Sequence, residues 1–251
     1  MLKMQPKKTA ILVDGGYYRV RASALWGKKS AKDRADELHQ YAMLHITEPD
    51  EPRELYRIFY YDCPPMVRTI RHPLTSADID YASKTGTKWS NSFHCFISEQ
   101  YRTALRMGEL AESTASFILK DNVLSDLISG LKEVSDLTEA DFRLDVKQKG
   151  VDMRVGLDVA SLAYGHYVDQ IILIAGDSDF LPAIKMARKY GLDFILDPMK
   201  QKPKHNMVEH VDSLETFVDS MYTSSRATPE AAPEAAPEAA PEAAPEAAPE
   251  D

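Results

Sequence analysis

Asp177 and Asp179 stand two apart around Ser178, directly after the apolar run Ile171–Ala175 and Gly176. A mostly β-branched or aliphatic run of this length reads as a strand of a parallel sheet covered on both faces. Leu181, Ile184 and Ala187, with Pro182 in the first turn, read as the helix that follows. The two aspartates therefore fall at the carboxyl edge of a sheet, where open α/β folds bind their ligands. A helix cap at Asp179 or Ser178 with a turn residue at Asp177 is the competing reading. Asp14 ends another apolar run, "AILV", before Gly15 and Gly16, and Asp152 and Asp158 open a later helical pattern. In a parallel sheet all carboxyl edges point one way, so acids from separate strand ends converge. Clustered carboxylates repel one another and resist desolvation, and a divalent cation would neutralise them. Oxygen donors without an accompanying cysteine and histidine set suit Mg²⁺ or Mn²⁺ rather than Zn²⁺. Asp152 and Asp158 would be about 9 Å apart along a helix axis and roughly 120° around it. They cannot both reach one ion if the helix already includes Asp152.

The elements that must position these acids alternate along the chain. "TAILVDGG", "ELYRIFYYDCPP", "TALRMGEL", "IILIAGD" and "LDFILDPM" read as strands. Helical patterns run from Tyr18 to about His45, through Trp89, Phe93, Phe96 and Tyr101, through Leu124 to Leu131, over "MRVGLDVASLAYG", and to Tyr190. An amphipathic stretch lies near Val211 to Val218. The alternation predicts a mostly parallel sheet with helices on both faces. The aromatic stripe Trp89/Phe93/Phe96 is read as core. Lys149, in "QKGVD", is a candidate contact for a substrate phosphate, or else a partner of a neighbouring carboxylate. Gly15 and Gly16 let the backbone turn and approach a ligand, which a tight turn alone would also require. Arg19, Arg21, Lys28, Lys29, Lys185, Arg188, Lys200, Lys202 and Lys204 are numerous enough to rim an acidic floor with phosphate-binding charge.

From Ala227 onward the chain repeats A-A-P-E, which buries no core and cannot continue a helix. Residues 1–222 are expected to form one domain, with a helical insertion around 111–139, and 223–251 a disordered acidic tail. The tail holds seven of the 39 acids and leaves 32 against 30 bases in the body, a net charge of −2. The formal charge of −9 thus says nothing against a nucleic-acid substrate. Cys63 and Cys95 match neither a zinc spacing nor a disulfide framework. No histidine pair has metal-ligand spacing. No run spans a membrane and no leader pattern opens the chain, so a cytoplasmic protein is expected.

"ILVDGGYY", "YYDCPP", "ALRMGEL", "KQKGVDMRVGLDVASLA" and "DQIILIAGDSDFLPAIKMARKYGLDFILDP" resemble the NYN domain, in the LabA-like branch of the PIN-like nucleases. The resemblance covers about Thr9 to Val218. It implies a Rossmann-like three-layer α/β sandwich, a phosphodiesterase site that uses Mg²⁺ or Mn²⁺, and RNA as substrate. Asp14, Asp152, Asp158, Asp177 and Asp179 match the family's acidic positions. The expected metal ligands are Asp14, Asp177 and Asp158, with Asp152 the alternative third, and Asp179 would orient water or cap its helix. Lys149, Gly15, Gly16 and Ser178 are the expected substrate contacts. Many NYN domains have asparagine three residues after the first aspartate; this chain has Tyr17. Two other readings are a haloacid-dehalogenase-like phosphatase and an RNA-binding or regulatory domain without turnover. The first needs D-x-D after the first strand, and this chain has D-G-G.

Overall fold

Burial on both faces of the central strands decides the architecture. The computed structural model describes residues 5–47 and 51–221. The A-A-P-E tail lies outside them. By its contacts the chain divides into a unit Met1–Val218 and a unit Asp219–Asp251, and the elements below belong to the first. In chain order they are β1 (Lys7–Asp14), α1 (Gly15–Trp26), α2 (Ala31–Leu44), β2 (Arg53–Asp62), α3 (Thr85–Glu99), β3 (Thr103–Met107), α4 (Asp121–Ile128), α5 (Val151–Tyr164), β4 (Gln170–Ile174), α6 (Leu181–Lys189), β5 (Asp193–Asp197), α7 (His205–Val208) and β6 (Ser213–Leu214). The six strands form one sheet in the order β6-β5-β4-β1-β2-β3, with every pair parallel. The order reverses between β1 and β4, the crevice where doubly wound sheets take their ligands.

Side-chain alternation assigns the two faces. Ala10, Leu12, Phe59, Tyr61, Ile171, Leu173, Phe194 and Leu196 pack with Val155, Val159 and Leu162 of α5 and Ile184 and Ala187 of α6. On the other face Tyr60 meets Phe93 of α3 at 5.6 Å between ring centres. The result is the expected α/β fold, a parallel sheet flanked by helices.

Three elements depart from the pattern read in sequence. The helical run from Tyr18 to His45 is two helices, because Gly27 takes a φ of 75° and Ser30 caps a new start with its side chain on Asp33 N. The amphipathic stretch 211–218 contains the edge strand β6, paired to β5 at Ile195 and Leu196. Residues 111–139 hold α4 and also the strand Ser116–Leu119, which pairs antiparallel with Phe142–Asp145. Among the described residues no helix is long and apolar enough to cross a membrane.

Candidate active site at the carboxyl edge of the sheet

Asp14 and the loop that carries Asp177 leave neighbouring strands, since β1 pairs with β4 through Val13 and Ile174. Asp14 caps α1, its Oδ1 accepting from Tyr17 N at 3.1 Å. Asp177 Oδ1 accepts from Asp179 N at 3.2 Å and opens the short turn Ser178–Phe180 that leads into α6. Both acids are therefore helix-entry residues, and the competing reading is met only in part: Asp177 itself accepts the capping bond, while neither Asp179 nor Ser178 caps α6. Capping consumes only part of a carboxylate, and the electrostatics show what remains. Burial pushes the Asp14 carboxyl above its ordinary value; bonds from Tyr17 N and Gly16 N oppose this, and the charges of Asp152 and Asp62 add to it. Burial raises Asp152 as well, helped by the charges of Asp179 and Asp177. Asp14, Asp152, Asp177 and Asp179 thus form a chain of mutually repelling acids at one sheet edge.

Asp158 belongs to different company. It lies within the same helix as Asp152, since α5 begins at Val151, so the two cannot serve one ion. Its Oδ2 accepts from Tyr61 OH at 2.8 Å and from Arg106 Nε at 2.9 Å, and the Arg106 guanidinium lies over the Phe59 ring at 5.0 Å. Of the two alternatives for the third ligand, Asp152 is the one in the field of the other acids.

The remaining expected contacts divide similarly. A Cβ on Gly15 would stand 2.5 Å from the Tyr60 ring and from Tyr61 O, so this glycine lets α1 start hard against β2. Gly16 lies beside Asp14 Oδ1. Ser178 Oγ accepts from Lys204 Nζ at 2.9 Å, and the same ammonium is 3.8 Å from Asp177 Oδ1. Lys149 is exposed on the two-residue strand Gln148–Lys149, two positions before α5. Tyr17 does not reach the acids with its hydroxyl, which donates to Pro198 O at 2.7 Å. Its ring instead fills the space above Gly176, 2.3 Å from where a Cβ would be. Burial holds that phenol up at about 12.

Two further aspartates share the edge, and sequence reasoning passed over both. Asp62 ends β2 and is buried, with Arg19 Nη2 at 3.0 Å, His94 Nε2 at 3.0 Å and Cys63 N at 2.8 Å. Asp197 ends β5 fully buried, bonded by Tyr41 OH, by His45 Nε2 at 2.9 Å and by Met199 N at 2.8 Å. Each follows an apolar run, the same signal that marks Asp14. The outer two acids are each held by several hydrogen-bond donors, the Arg19 guanidinium among those of Asp62, while the loosely placed Lys204 ammonium stands beside the inner group.

Among the described residues no three His, Cys, Asp or Glu side chains are close enough to enclose a metal ion. The inner acids are not a closed cage. Mg²⁺ takes one or two carboxylates and keeps several waters, and the donors here are hard oxygens with excess negative charge, so the residues fit such an ion.

No curated protein matches the chain. A protein of unknown function from Vibrio parahaemolyticus aligns with a TM-score of 0.44 and 13% identity, over 85% of this chain and 94% of that one. Residues 120–215 match the model of the NYN domain, a stretch that carries Asp152, Asp158, Asp177 and Asp179, with Asp14 outside it. Over that stretch the chain is similar to the NYN domain.

Proposed function

We propose that the protein is a metal-dependent ribonuclease that hydrolyses RNA phosphodiester bonds at the β1–β4 edge, and by its motifs we assign it to the LabA-like branch of the PIN-like nucleases. One contrast carries the reading: Asp62 and Asp197 are buried and each held by several hydrogen-bond donors, whereas Asp14, Asp152, Asp177 and Asp179 lie in one another's fields. Acids that repel one another and are met by backbone caps and one exposed ammonium are arranged for a cation from outside. The NYN match over 120–215 supports nuclease chemistry there.

In this reading one or two of Asp14, Asp177 and Asp152 would hold Mg²⁺ or Mn²⁺ directly and the rest would act through its waters. When bound, the ion supplies positive charge at the phosphoryl oxygen and lowers the pKa of water enough to make a nucleophile. Tyr17 N fixes the Asp14 carboxylate, so its free oxygen is aimed before substrate arrives. Asp179, exposed one residue past Ser178, orients the attacking water. Lys204, whose ammonium already lies at Ser178, contacts a substrate phosphate.

A phospho-enzyme mechanism would need a carboxylate two residues after Asp14, where Gly16 stands. An RNA-binding domain without turnover would bind equally in EDTA and in Mn²⁺ and cleave in neither. The test is cleavage of end-labelled RNA after EDTA stripping, across Mg²⁺, Mn²⁺ and Zn²⁺. Cleavage restored by Mg²⁺ or Mn²⁺ and reduced at least about 100-fold in Asp177→Asn is expected, since such charge stabilisation contributes several kcal/mol. Full activity in EDTA would overturn the reading.

A further inference from the structure

A hollow of about 430 Å³ opens beside the acidic edge, lined by Arg19 and Ser23 of α1, Lys28 and Lys29 of the turn after it, Arg34 of α2, and Thr85, Gly86 and Trp89 of α3. We propose that it is a subsite for one nucleotide of single-stranded RNA, the phosphate held by Lys28, Arg19 and the start of α3, the base laid on Trp89. The proposal deepens the ribonuclease reading and rests on it for the identity of the polymer.

Charge is the first argument. Arg34 is 2% exposed and forms the floor, donating to Gly27 O and to Glu37. Glu37 also takes Tyr18 OH at 3.1 Å, and its Oε2 lies 2.7 Å from the Lys29 ammonium, so the charge of this buried acid is met by Arg34 and Lys29. The other acids near the turn have partners of their own: Asp33 bonds Ser30, and Asp36 bonds Lys32 and Gln100. Lys28 is exposed and has no ion pair among the described residues, so its charge is unspent. Arg19 spends Nη2 on Asp62 and Nε on Gly15 O, which holds the guanidinium between the hollow and the acidic edge.

The helix start is the second argument. No side chain caps α3 and no acid occupies its first turn. Its first backbone N–H groups lack intrahelical acceptors, and their partial positive charge faces a hollow that Thr85 and Gly86 line.

Trp89 supplies the third. The aromatic stripe of α3 was expected to be core throughout, and Phe93 is fully buried, but Trp89 remains half-buried on the hollow's wall. Phe93 stacks on it at 5.0 Å with 13° between the planes, and its Nε1 donates to Lys29 O at 3.0 Å. The ring is therefore held flat before any ligand arrives, which lowers the entropic cost of stacking a base. A base can lie on such a ring only when unstacked from its neighbours, which selects single strands over duplex. Along α1, Ser23 is roughly 12 Å from Gly15, so a strand in the hollow continues to the acidic edge.

The test uses the full chain in EDTA, where no cleavage confuses binding. The probes are a fluorescein-labelled eight-residue oligoadenylate, its duplex with oligouridylate, and free AMP, read by anisotropy and by tryptophan fluorescence. The single strand should quench the protein's fluorescence and bind more tightly than the duplex. Trp89→Leu should abolish most of that quenching and weaken single-strand binding about tenfold, within the range of one stacked base. Lys28→Ala, a change on the exposed surface that leaves the fold intact, should lower the slope of log K against log salt by about 0.7. Parent-like binding in both variants would overturn the proposal, as would AMP competing as well as the oligonucleotide, or no binding at all. A parent that binds and responds to both substitutions yet cuts nothing in Mn²⁺ would overturn the nuclease reading alone. One that cuts while ignoring both substitutions would overturn the subsite alone.

Discussion

An aspartate at the end of a strand is ambiguous until its partners are known. Asp14, Asp62, Asp177 and Asp197 all follow apolar runs, and sequence pattern marks Asp14 and Asp177 because glycines and a second acid stand beside them. Asp62 and Asp197 carry the same signal, but what distinguishes them is His94, 32 residues on, and His45, 152 residues back. Such distances leave no trace in local spacing. Asp158 was legible as an acid at a family position and not as the acceptor of Tyr61 and Arg106, for the same reason. Asp158→Asn is therefore expected to cost about 1.5 kcal/mol, the scale of hydrogen bonds to a charged group, while leaving Mn²⁺ affinity within about twofold. Urea melts and Mn²⁺ titration check it, and a collapse of affinity would make Asp158 a ligand after all. Asp152 behaves oppositely. Its folded pKa lies above the ordinary 3.8, so the metal-free fold loses stability as pH rises through 3.8 and past the raised value. Asp152→Asn removes that loss: without metal the variant should be slightly more stable than the parent at pH 7 and indistinguishable below pH 3.8. Melts across pH in EDTA read the crossing, and a variant less stable at pH 7 would deny the repulsion.

Among the elements, the buried strands and the helices α5 and α6 were legible because their apolar residues recur at regular spacing. β6 is only two residues long and shows no period, and the break at Gly27 depends on one positive φ and the Ser30 cap. The helix starts at the sheet edge are set by close approach. Gly15 meets backbone at Tyr61 O, which cannot move aside, whereas the nearest atoms to a Cβ at Gly176 are those of the Tyr17 ring. Gly15→Ala should cost about 3 kcal/mol, at the upper end of ordinary overpacking, and Gly176→Ala about 1–2 kcal/mol as Tyr17 turns away. Tyr17→Ala combined with Gly176→Ala should cost less than the sum of the two single changes; additive losses would show that the ring is not what excludes a side chain there.

For the molecule as a whole, the A-A-P-E segment and the body are expected to make separable contributions. Removing residues 227–251 deletes seven acids and no apolar residue larger than alanine or proline. The melting temperature should stay within about 1 °C, since no core burial is lost. RNA affinity should rise at low salt, with the gain screened near 0.15 M. A large fall in melting temperature would show that the segment packs on the body. A cation at the β1–β4 edge is tested most directly by the melting temperature of parent and Asp14→Asn in EDTA and in excess Mn²⁺. Asparagine keeps the bond from Tyr17 N and loses the charge and one acceptor oxygen. At about 100 times its Kd a ligand adds ~2.7 kcal/mol, so the parent should rise by roughly 5–10 °C in Mn²⁺. Asp14→Asn should rise by less than about half as much. No rise in the parent, or an equal rise in both, would contradict a metal site built on these strand ends.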